Sequence, residues 1–376
     1  MQVVIVGGGL GGLACARRLA GRSSKTEVHL VDRKGRHDFI PSLPWLVAGQ
    51  RRPEEVSRPL ERLARRGIKV TRAEAEGLDL DRGEIATSAG RMPWDELVLA
   101  PGAVLAPEEI PGLAEGAHGF YTLEDAEHLR DRLSAFDGGR VLIVVAATPF
   151  RSLAAPYEAA FLIEERLRLG GVVARVDVVT VEPRPMALAG ADAAAQVTEL
   201  LHGRGIGLQT GRQLSSVDPD AREARFADGC ESYDLLVAIP PHRPPDFVAE
   251  SPLAGPNGWI VTDAFRMSAA PSVRAIGDVT SIELGDGATL PKAGVLAQRE
   301  AVVVADNLAD VARGVRPRAD FSGAASYELE VGEGRALGGQ GDYYRPRRPR
   351  LRFRKPSRRT HRQKLLFERR SLRQLR

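Results

Sequence analysis

The chain opens with an apolar segment that runs straight into a glycine-rich loop, Gln2-Val3-Val4-Ile5-Val6-Gly7-Gly8-Gly9-Leu10-Gly11-Gly12. The loop matches the spacing G-x-G-x-x-G, and a helical pattern over residues 13–20 and a second apolar segment, Glu27–Asp32, follow it. A glycine triplet alone is weak evidence. Strand, loop, helix and strand in this order, however, predict a βαβ unit that binds a dinucleotide.

Each glycine of the loop has a physical role in this prediction. We expect Gly7 to make the tight turn, Gly9 to let the backbone approach a pyrophosphate, and Gly12 to let helix and strand pack closely. The first N–H groups of the helix would face the phosphates. Asp32, twenty residues beyond Gly12, can accept hydrogen bonds from a ribose diol. The expected cofactor-binding residues of this unit are Gly7, Gly9, Leu10, Gly11, Gly12, Asp32 and Arg33.

The same order of elements occurs a second time. Residues 140–146, 157–169 and 176–182 repeat the strand, helix and strand of the first unit. Each copy continues with Arg-Gly-Ile, a turn-rich hairpin and a closing apolar strand, at 95–100 and 233–238. Nearly continuous apolar strands joined by helices indicate parallel sheets covered on both faces. The repeat therefore predicts an α/β fold with two tandem Rossmann-like three-layer domains.

The loop of the second copy differs from that of the first. It reads Ala146-Ala147-Thr148-Pro149-Phe150-Arg151-Ser152 and contains no glycine. Pro149 removes an N–H group, and the next two side chains add bulk where a pyrophosphate would need bare backbone. Glu182 stands where an NAD ribose acceptor would stand, but strand-end carboxylates are common in this fold without a ligand. We therefore do not expect NAD(P)H to bind in the second domain.

Six segments resemble the flavoprotein disulfide-reductase superfamily, and within it the sulfide:quinone oxidoreductases and type II NADH dehydrogenases. The resemblance covers nearly the whole chain, and Phe39-Ile40-Pro41-Ser42-Leu43-Pro44-Trp45 is its most telling part. Residues 99–103 resemble the Ala-Thr-Gly motif with proline in place of threonine, and residues 275–278 resemble the second FAD motif. The remaining matches are residues 290–294, 155–160 and 364–368.

The resemblance implies FAD as the cofactor. It also implies an FAD-binding domain over 1–112 and 250–318, a degenerate NAD(P)-like domain over 113–249, and a C-terminal segment over 319–376. Asp278 would bind the flavin ribityl chain, and Lys292 would act catalytically by placing a positive charge near the reduced flavin. The alternative for Lys292 is a solvated surface lysine. The further cofactor-binding residues that the resemblance implies are Pro41, Ser42, Ala100, Gly102, Gly277, Asp278 and Lys292.

The chain departs from the sulfide:quinone oxidoreductases at their redox-active cysteine pair. The corresponding segments read Arg151-Ser152-Leu153-Ala154 and Ala325-Ser326-Tyr327-Glu328. A serine cannot pass through a disulfide, and the two cysteines, Cys15 and Cys230, lie elsewhere in the sequence. Sulfide oxidation through a cysteine pair is therefore not expected. The cysteine spacing predicts no metal site either.

Composition and charge bound the cellular setting. At 376 residues the chain can bury two or three cores, and it has neither an apolar run of about 18 residues nor a signal peptide. These features predict a cytoplasmic protein, with peripheral attachment to the inner face of the plasma membrane as a further expectation. A homodimer is compatible with the sequence.

The basic charge is concentrated at the C-terminus. Residues 345–376 contain 15 Lys and Arg and one acid, which leaves 38 basic and 48 acidic residues in the body. Residues 343–359 read as an extended strap without a packed core, and 360–376 as a helix with Leu365, Leu372 and Leu375 on one side and Phe367 opposite. Docking on an anionic membrane is the favoured interpretation. A solubilising tail is the alternative, and without a recognition fold nucleic-acid binding is not expected.

Two functions remain open from the sequence. The first is an FAD-dependent oxidoreductase that passes electrons from an unidentified donor to a quinone or another acceptor at a membrane surface, with an NAD(P)H:quinone dehydrogenase as a variant of it. The second is a catalytically silent flavin-binding paralogue that acts as a membrane-associated binding or scaffold protein. The retained FAD motifs favour the enzyme.

Overall fold

A computed structural model of the chain describes residues 1–345 and 351–375. In these residues the α-helices are α1 (Leu10–Arg22), α2 (Leu43–Val47), α3 (Pro53–Val56), α4 (Leu113–Gly116), α5 (Leu123–Ser134), α6 (Ala155–Leu169), α7 (Ala191–Gly203), α8 (Asp246–Ala249), α9 (Gly294–Ala312) and α10 (Arg358–Arg373). The strands are β1 (Gln2–Val6), β2 (Glu27–Asp32), β3 (Arg36–Asp38), β4 (Ser57–Pro59), β5 (Lys69–Arg72), β6 (Ala75–Asp79), β7 (Glu84–Thr87), β8 (Gly90–Pro93), β9 (Glu96–Leu99), β10 (Val104–Leu105), β11 (Gly139–Val145), β12 (Ala174–Thr180), β13 (Gly207–Thr210), β14 (Leu214–Asp218), β15 (Glu223–Phe226), β16 (Gly229–Ser232), β17 (Leu235–Ile239), β18 (His242–Arg243), β19 (Ile260–Val261), β20 (Ser268–Ala270), β21 (Val273–Ala275), β22 (Thr280–Ser281), β23 (Ala324–Glu330), β24 (Ala336–Asp342) and β25 (Leu351–Phe353).

Two parallel sheets carry the duplication that the sequence predicts. The first has the strand order β20-β21-β9-β1-β2-β5, with β20 alone antiparallel to its neighbour. The second has the order β13-β12-β11-β17 and is parallel throughout. Strand by strand, the order β5-β2-β1-β9 of the first sheet thus corresponds to the order β13-β12-β11-β17 of the second. Each unit also inserts a three-stranded antiparallel sheet, β6–β8 or β14–β16, before its last parallel strand.

Alternation along the strands explains the three layers. In β11, Val141 and Ile143 pack with Tyr157 of α6, whereas Leu142 and Val144 pack in a second cluster with Phe226 of the antiparallel sheet. Because successive side chains of a strand point to opposite faces, an uninterrupted apolar strand must be covered on both sides. The first domain repeats the arrangement: Val3 and Ile5 join the α1 side, and Val4 and Val6 the side of β7. The predicted α/β fold is therefore confirmed.

The strands that follow the second unit return the chain to the first. β20 and β21 join the edge of the first sheet beside β9, and α9 packs along α1, where Ala297 Cβ lies 3.3 Å from the place a Cβ on Gly11 would take. A further antiparallel sheet, β23-β24-β25, follows. This path agrees with the order of the predicted segments, whose boundaries at 112, 249 and 318 remain a proposal.

The C-terminal segment is packed on the body. Tyr343 and Leu351 are buried, and β25 pairs with β24. The prediction that Arg and Pro keep residues 343–359 from packing is therefore wrong for the described part of that segment; residues 346–350 lie outside it. The predicted helix exists as α10. Of the three leucines predicted to share one side, Leu372 and Leu375 are buried and Leu365 is half-buried. Lys364 and Glu368 are buried as well, since tertiary partners compensate both charges.

Candidate functional site

One cavity of about 440 Å³ lies at the carboxyl ends of the first parallel sheet. Its wall includes the segments that follow β1, β2, β9 and β21, and it extends to α6, β23 and α10. Ligands of open α/β sheets bind outside the carboxyl ends of the strands. The cavity therefore occupies the place where this fold binds cofactors, and the C-terminal segment contributes to its wall.

The glycine loop has the geometry that the sequence predicts. Gly7 adopts φ +97°, and a Cβ there would lie 2.2 Å from the Ala100 oxygen. A Cβ on Gly12 would lie 1.9 Å from the Gly7 oxygen, so glycine is required for the close contact of helix and loop. A Cβ on Gly9 would meet nothing within 4 Å, and Gly9 lines the cavity at the start of α1. The N–H groups of the first helical turn at Leu10 and Gly11 are thus placed for an anion.

Asp32 is held rigidly at the same end of the cavity. Its carboxylate accepts hydrogen bonds from the backbone N–H groups of Gly8 at 2.8 Å, Lys34 at 2.9 Å and Gly35 at 2.8 Å. A carboxylate offers about four lone-pair sites, so a ribose hydroxyl can still donate to it. Arg33, which is exposed, lies beside it on the wall.

The predicted second cofactor segment also reaches the cavity. Gly277 adopts φ +75° and donates its N–H to the buried Glu300 carboxylate at 2.6 Å. The neighbouring Asp278 lines the cavity, and its Oδ2 accepts a hydrogen bond from Arg151 Nε at 2.9 Å. Oδ1 of Asp278 has no partner among residues 1–345 and 351–375. The predicted wall residues Pro41, Ala100 and Gly102 lie there as well.

Ser42 does not have the cofactor-binding position that the sequence predicts. Its side chain is fully buried, and its Oγ donates a hydrogen bond to Glu368 of α10 at 2.6 Å. Arg51 forms an ion pair with the same carboxylate at 2.9 Å. Ser42 therefore anchors the C-terminal helix, and Ile40, Pro41 and Pro44 of the same segment face the cavity.

Lys292 also differs from its prediction. Its Nζ donates to the backbone oxygens of Asp278 at 2.5 Å and Thr280 at 3.2 Å, and lies 3.4 Å from the centre of the Trp259 ring. Lys292 is buried and is not among the residues of the cavity wall, so the ammonium neither faces a flavin there nor is a solvated surface group. Burial lowers its pKa to about 8. Its contacts stabilise the segment that contains Asp278.

An acid–base cluster on α6, β23 and α10 lines the same cavity. Glu158 of α6 forms an ion pair with Lys364 of α10, and both line the cavity with Glu328. Burial raises the pKa of Glu158 to about 7 although Lys364 opposes the shift, and burial likewise raises the pKa of Glu328. The Lys364 ammonium also lies 4.7 Å from the centre of the Trp45 ring. Sequence reasoning missed this cluster, although residues 155–160 and 364–368 were both singled out by resemblance.

Residues 1–301 match the pyridine nucleotide-disulphide oxidoreductase family. The chain belongs to this family. The match confirms the predicted fold, the class of FAD-dependent oxidoreductase and FAD as the cofactor.

Individual members of the pyridine nucleotide-disulphide oxidoreductase family are similar over most of the chain. Mitochondrial sulfide:quinone oxidoreductase of Mus musculus is 25% identical over 359 residues, which are 91% of this chain and 78% of the relative. Sulfide-quinone reductase of Aquifex aeolicus is 25% identical over 327 residues, 82% of this chain and 76% of the relative. The X-ray structure of the Aquifex aeolicus sulfide:quinone oxidoreductase superposes with a TM-score of 0.89 at 24% identity, covering 100% of this chain and 91% of that one.

Both cysteines of this family member lie away from the cavity wall. Cys15 is buried on α1, and burial raises the pKa of its thiol to about 12, while Cys230 is exposed on β16. The wall carries Arg151 and Ser152 on one segment and Tyr327 and Glu328 on the other. No thiol in the chain can therefore relay electrons across this cavity.

The loop of the second unit, which contains no glycine, is packed rather than open. Phe150 is buried, and Glu182 is buried with its carboxylate accepting hydrogen bonds from the Tyr157 hydroxyl at 2.5 Å and the Ala187 N–H at 3.0 Å. The acceptor expected for an NAD ribose is thus buried within the domain. The absence of NAD(P)H binding there stays a prediction.

The outer face of α10 is strongly basic. Arg362, Arg369, Arg370 and Arg373 are exposed without ion pairs to other described residues, and Leu366 among them is 47% exposed. Within residues 1–345 and 351–375, every helix is too short or too polar to cross a membrane.

Proposed function

We propose that this oxidoreductase passes electrons from its donor through FAD to a quinone, without a cysteine relay. The observation that carries the proposal is the continuous cavity, which joins the glycine loop at Gly9 to the buried Glu158–Lys364 pair. The quinone follows from the relatives, two of which are named as sulfide:quinone and sulfide-quinone enzymes. The donor meets the flavin directly, because the wall that would hold a cysteine pair carries Arg151, Ser152, Tyr327 and Glu328.

The residues on the wall fit FAD. The start of α1 at Gly9 and Leu10 would hold the pyrophosphate, Asp32 the ribose of the adenosine half, and Oδ1 of Asp278 a ribityl hydroxyl. FAD supplies the redox chemistry when it is bound, and the protein supplies orientation and electrostatics. The complete proposed set is Gly7, Gly9, Leu10, Gly11, Gly12, Asp32, Arg33, Pro41, Ala100, Gly102, Gly277 and Asp278.

The buried cluster supplies protons in this proposal. Reduction of a quinone to a quinol takes up two electrons and two protons. Glu158 lines the cavity, is buried, and has a pKa raised to about 7, so its carboxyl can hold and release a proton near neutral pH. Lys364 beside it compensates the charge that remains after the proton leaves.

The basic face of α10 is proposed to place the cavity at an anionic membrane surface. Each exposed arginine near such a surface contributes about 1 kcal/mol, and α10 also contributes Lys364 and Phe367 to the cavity wall. A peripheral position on the inner face of the plasma membrane would therefore bring the Glu158–Lys364 pair, which is proposed to supply protons to the quinone, close to the lipid. A homodimer remains a proposal without a supporting contact.

Anaerobic reoxidation tests the electron path independently of the unknown donor. The purified chain should contain FAD, and after chemical reduction of the flavin a soluble quinone should restore its oxidised absorbance. The Glu158→Gln variant should bind FAD but reoxidise at least about tenfold more slowly, since general acid catalysis typically contributes 10²–10⁴-fold. Flavin that is reoxidised by quinone no faster on the protein than free in buffer would contradict the proposal and favour the silent paralogue. Separate mixing with sulfide, NADH and NADPH then identifies or excludes each donor.

A further inference from the structure

Arg151 joins three separate parts of the cavity wall. It follows β11 in the second domain, its Nε donates to Asp278 at 2.9 Å, and its Nη2 donates to the Ala103 oxygen at 3.1 Å. Its backbone is also held, because its carbonyl accepts a hydrogen bond from the Tyr121 hydroxyl at 2.7 Å and the next residue, Ser152, donates its N–H to the Lys292 oxygen at 2.7 Å. The guanidinium is therefore fixed in position, with 19% of its side chain exposed.

The guanidinium retains hydrogen-bonding capacity toward the cavity. It has five N–H donors. The one on Nε and one on Nη2 have partners, and the other three have none among residues 1–345 and 351–375. A cation with free donors on the wall of a cavity is suited to an acceptor that carries negative charge. Asp278 does not fill this role by itself, because its carboxylate bonds only to the Nε group and leaves the remaining donors of the guanidinium open.

The direction of a bound FAD indicates which acceptor that is. With the pyrophosphate at Gly9 and the adenosine ribose at Asp32, the flavin half must extend from the pyrophosphate toward Asp278. Arg151 is the cation that contacts the Asp278 carboxylate. Reduction of a flavin by two electrons and one proton leaves a net negative charge, which is centred on the N1–C2 region. Positive charge near this region is one of the ways in which proteins tune flavin chemistry.

We infer that Arg151 is a flavin-contacting residue that stabilises the anionic reduced flavin, on a segment that corresponds to one of the two redox-cysteine segments of the resembling enzymes. The inference rests on the proposed FAD site. The positive charge of Arg151 stabilises the reduced flavin and so raises its midpoint potential. The flavin thereby becomes a better electron acceptor for a donor that reacts with it directly, without a thiol. Lys292 does not perform this role, because its ammonium is bound to backbone oxygens and to Trp259.

The test compares two variants that both retain a polar side chain. Arg151→Gln removes the charge but can still donate to Asp278, whereas Arg151→Lys keeps the charge. The midpoint potential of the bound FAD, measured by equilibration with a reference dye, should fall by roughly 30 mV or more in Arg151→Gln, which corresponds to a tenfold change for a two-electron couple. In Arg151→Lys the fall should be clearly smaller. Arg82→Gln, which removes a charge from a side chain that is 71% exposed, should leave the potential unchanged.

Sulfite provides a second readout that does not depend on enzyme activity. Its sulfur lone pair forms a bond to flavin N5, the electron pair of the flavin shifts to the N1–C2 region, and no oxidant is consumed. Its dissociation constant should therefore rise at least about tenfold in Arg151→Gln, because a hydrogen bond to a charged group is worth about that much. Equal potentials and equal sulfite affinities in wild type and Arg151→Gln would overturn the inference and leave the proposed function standing. Equal losses in the Gln and Lys variants would show that charge is not the cause. A folded wild-type chain that takes up no FAD would overturn both.

Discussion

Glu158 and Lys364 form a buried ion pair that joins the second Rossmann-like unit to the C-terminal helix, 206 residues further along the chain. Each side chain is only 6% exposed. The pair lies on the wall of the proposed flavin cavity, so the segment that reads as a detachable basic tail is part of the site. A deletion of residues 345–376 would therefore remove cavity wall together with charge, and it cannot serve as a test of membrane binding alone.

Removal of one partner of this pair should destabilise the protein more than removal of both. Lys364→Met leaves Glu158 buried without its counterion, which typically costs about 3–5 kcal/mol, whereas replacement of both charges is often close to neutral. We expect a large loss of thermal stability in Lys364→Met and substantial recovery in the double variant with Glu158→Gln, by scanning calorimetry. Additive losses in the double variant would show that the two residues are not coupled.

Glu158 and Glu300 should each contribute stability that is lost as the pH rises from about 4.5 to about 7. Burial raises the folded-state pKa of both carboxyls from 4.5 to about 7, so each binds more protons in the folded than in the unfolded chain in this window. Such a group lowers the unfolding free energy as the pH rises. The midpoint temperature of Glu158→Gln should therefore decline less, or rise more, with pH than that of wild type, and Glu199→Gln, at an exposed position, should not change the slope. Equal slopes in wild type and Glu158→Gln would contradict the assignment.

Substitutions at two glycines of the loop should have different effects, one on FAD binding and the other on folding. A Cβ at Gly9 would meet no protein atom within 4 Å, so Gly9→Val should fold but block the pyrophosphate and abolish FAD binding. Gly12→Ala would place its Cβ 1.9 Å from the Gly7 oxygen and should destabilise the domain itself. Circular dichroism and the ratio of flavin to protein absorbance separate the two outcomes. Wild type should carry about one FAD per chain, and a yellow Gly9→Val protein would contradict the proposed phosphate position.

NADH and NADPH should reduce the bound flavin poorly. The second loop lacks glycine, and the Glu182 carboxylate is buried and bonded to Tyr157 and Ala187, so it does not present a ribose acceptor at the surface. Anaerobic mixing with micromolar NADH should leave the visible flavin absorbance nearly unchanged over seconds, while chemical reduction bleaches it. Rapid stoichiometric bleaching would instead support an NADH dehydrogenase.

Membrane binding should depend on the outer face of α10. Replacing Arg362, Arg369, Arg370 and Arg373 by Gln leaves the buried Lys364 and Glu368 contacts in place. At about 1 kcal/mol for each basic group, the variant should lose most of its sedimentation with anionic vesicles at low salt. Binding of wild type should also fade as the Debye length shortens to about 8 Å at physiological salt.

A matched control removes the same charge elsewhere. The control variant replaces four exposed arginines of the first domain by Gln: Arg65, Arg66, Arg82 and Arg91. This variant should keep nearly all of its vesicle binding. Equal loss in both quadruple variants would show that net charge, not α10, decides binding. Salt-resistant binding of the α10 variant to neutral vesicles would assign the attachment to apolar residues such as Leu366.

The sequence by itself determined the two Rossmann-like units, the order of elements along the chain that they share, and the glycine loop at Gly7–Gly12. These features depend on local signals: apolar runs of strand length, helical periodicity, and glycines whose spacing serves one turn. The absence of glycine from residues 146–152 is equally local, and so is the absence of cysteine at Arg151 and Ser152. Such signals need no knowledge of which distant residues meet.

Only the tertiary structure decided the partners of the buried charges. Ser42 was predicted to bind the cofactor, yet it meets Glu368, 326 residues away, and Lys292 was predicted to face the flavin, yet backbone oxygens and Trp259 bind it. The C-terminal helix was predicted from its charge to be a separate tail, yet it buries Lys364 and Glu368. A charged residue is stable inside a protein only when a partner compensates it, and that partner is set by how the elements pack, not by the neighbouring sequence.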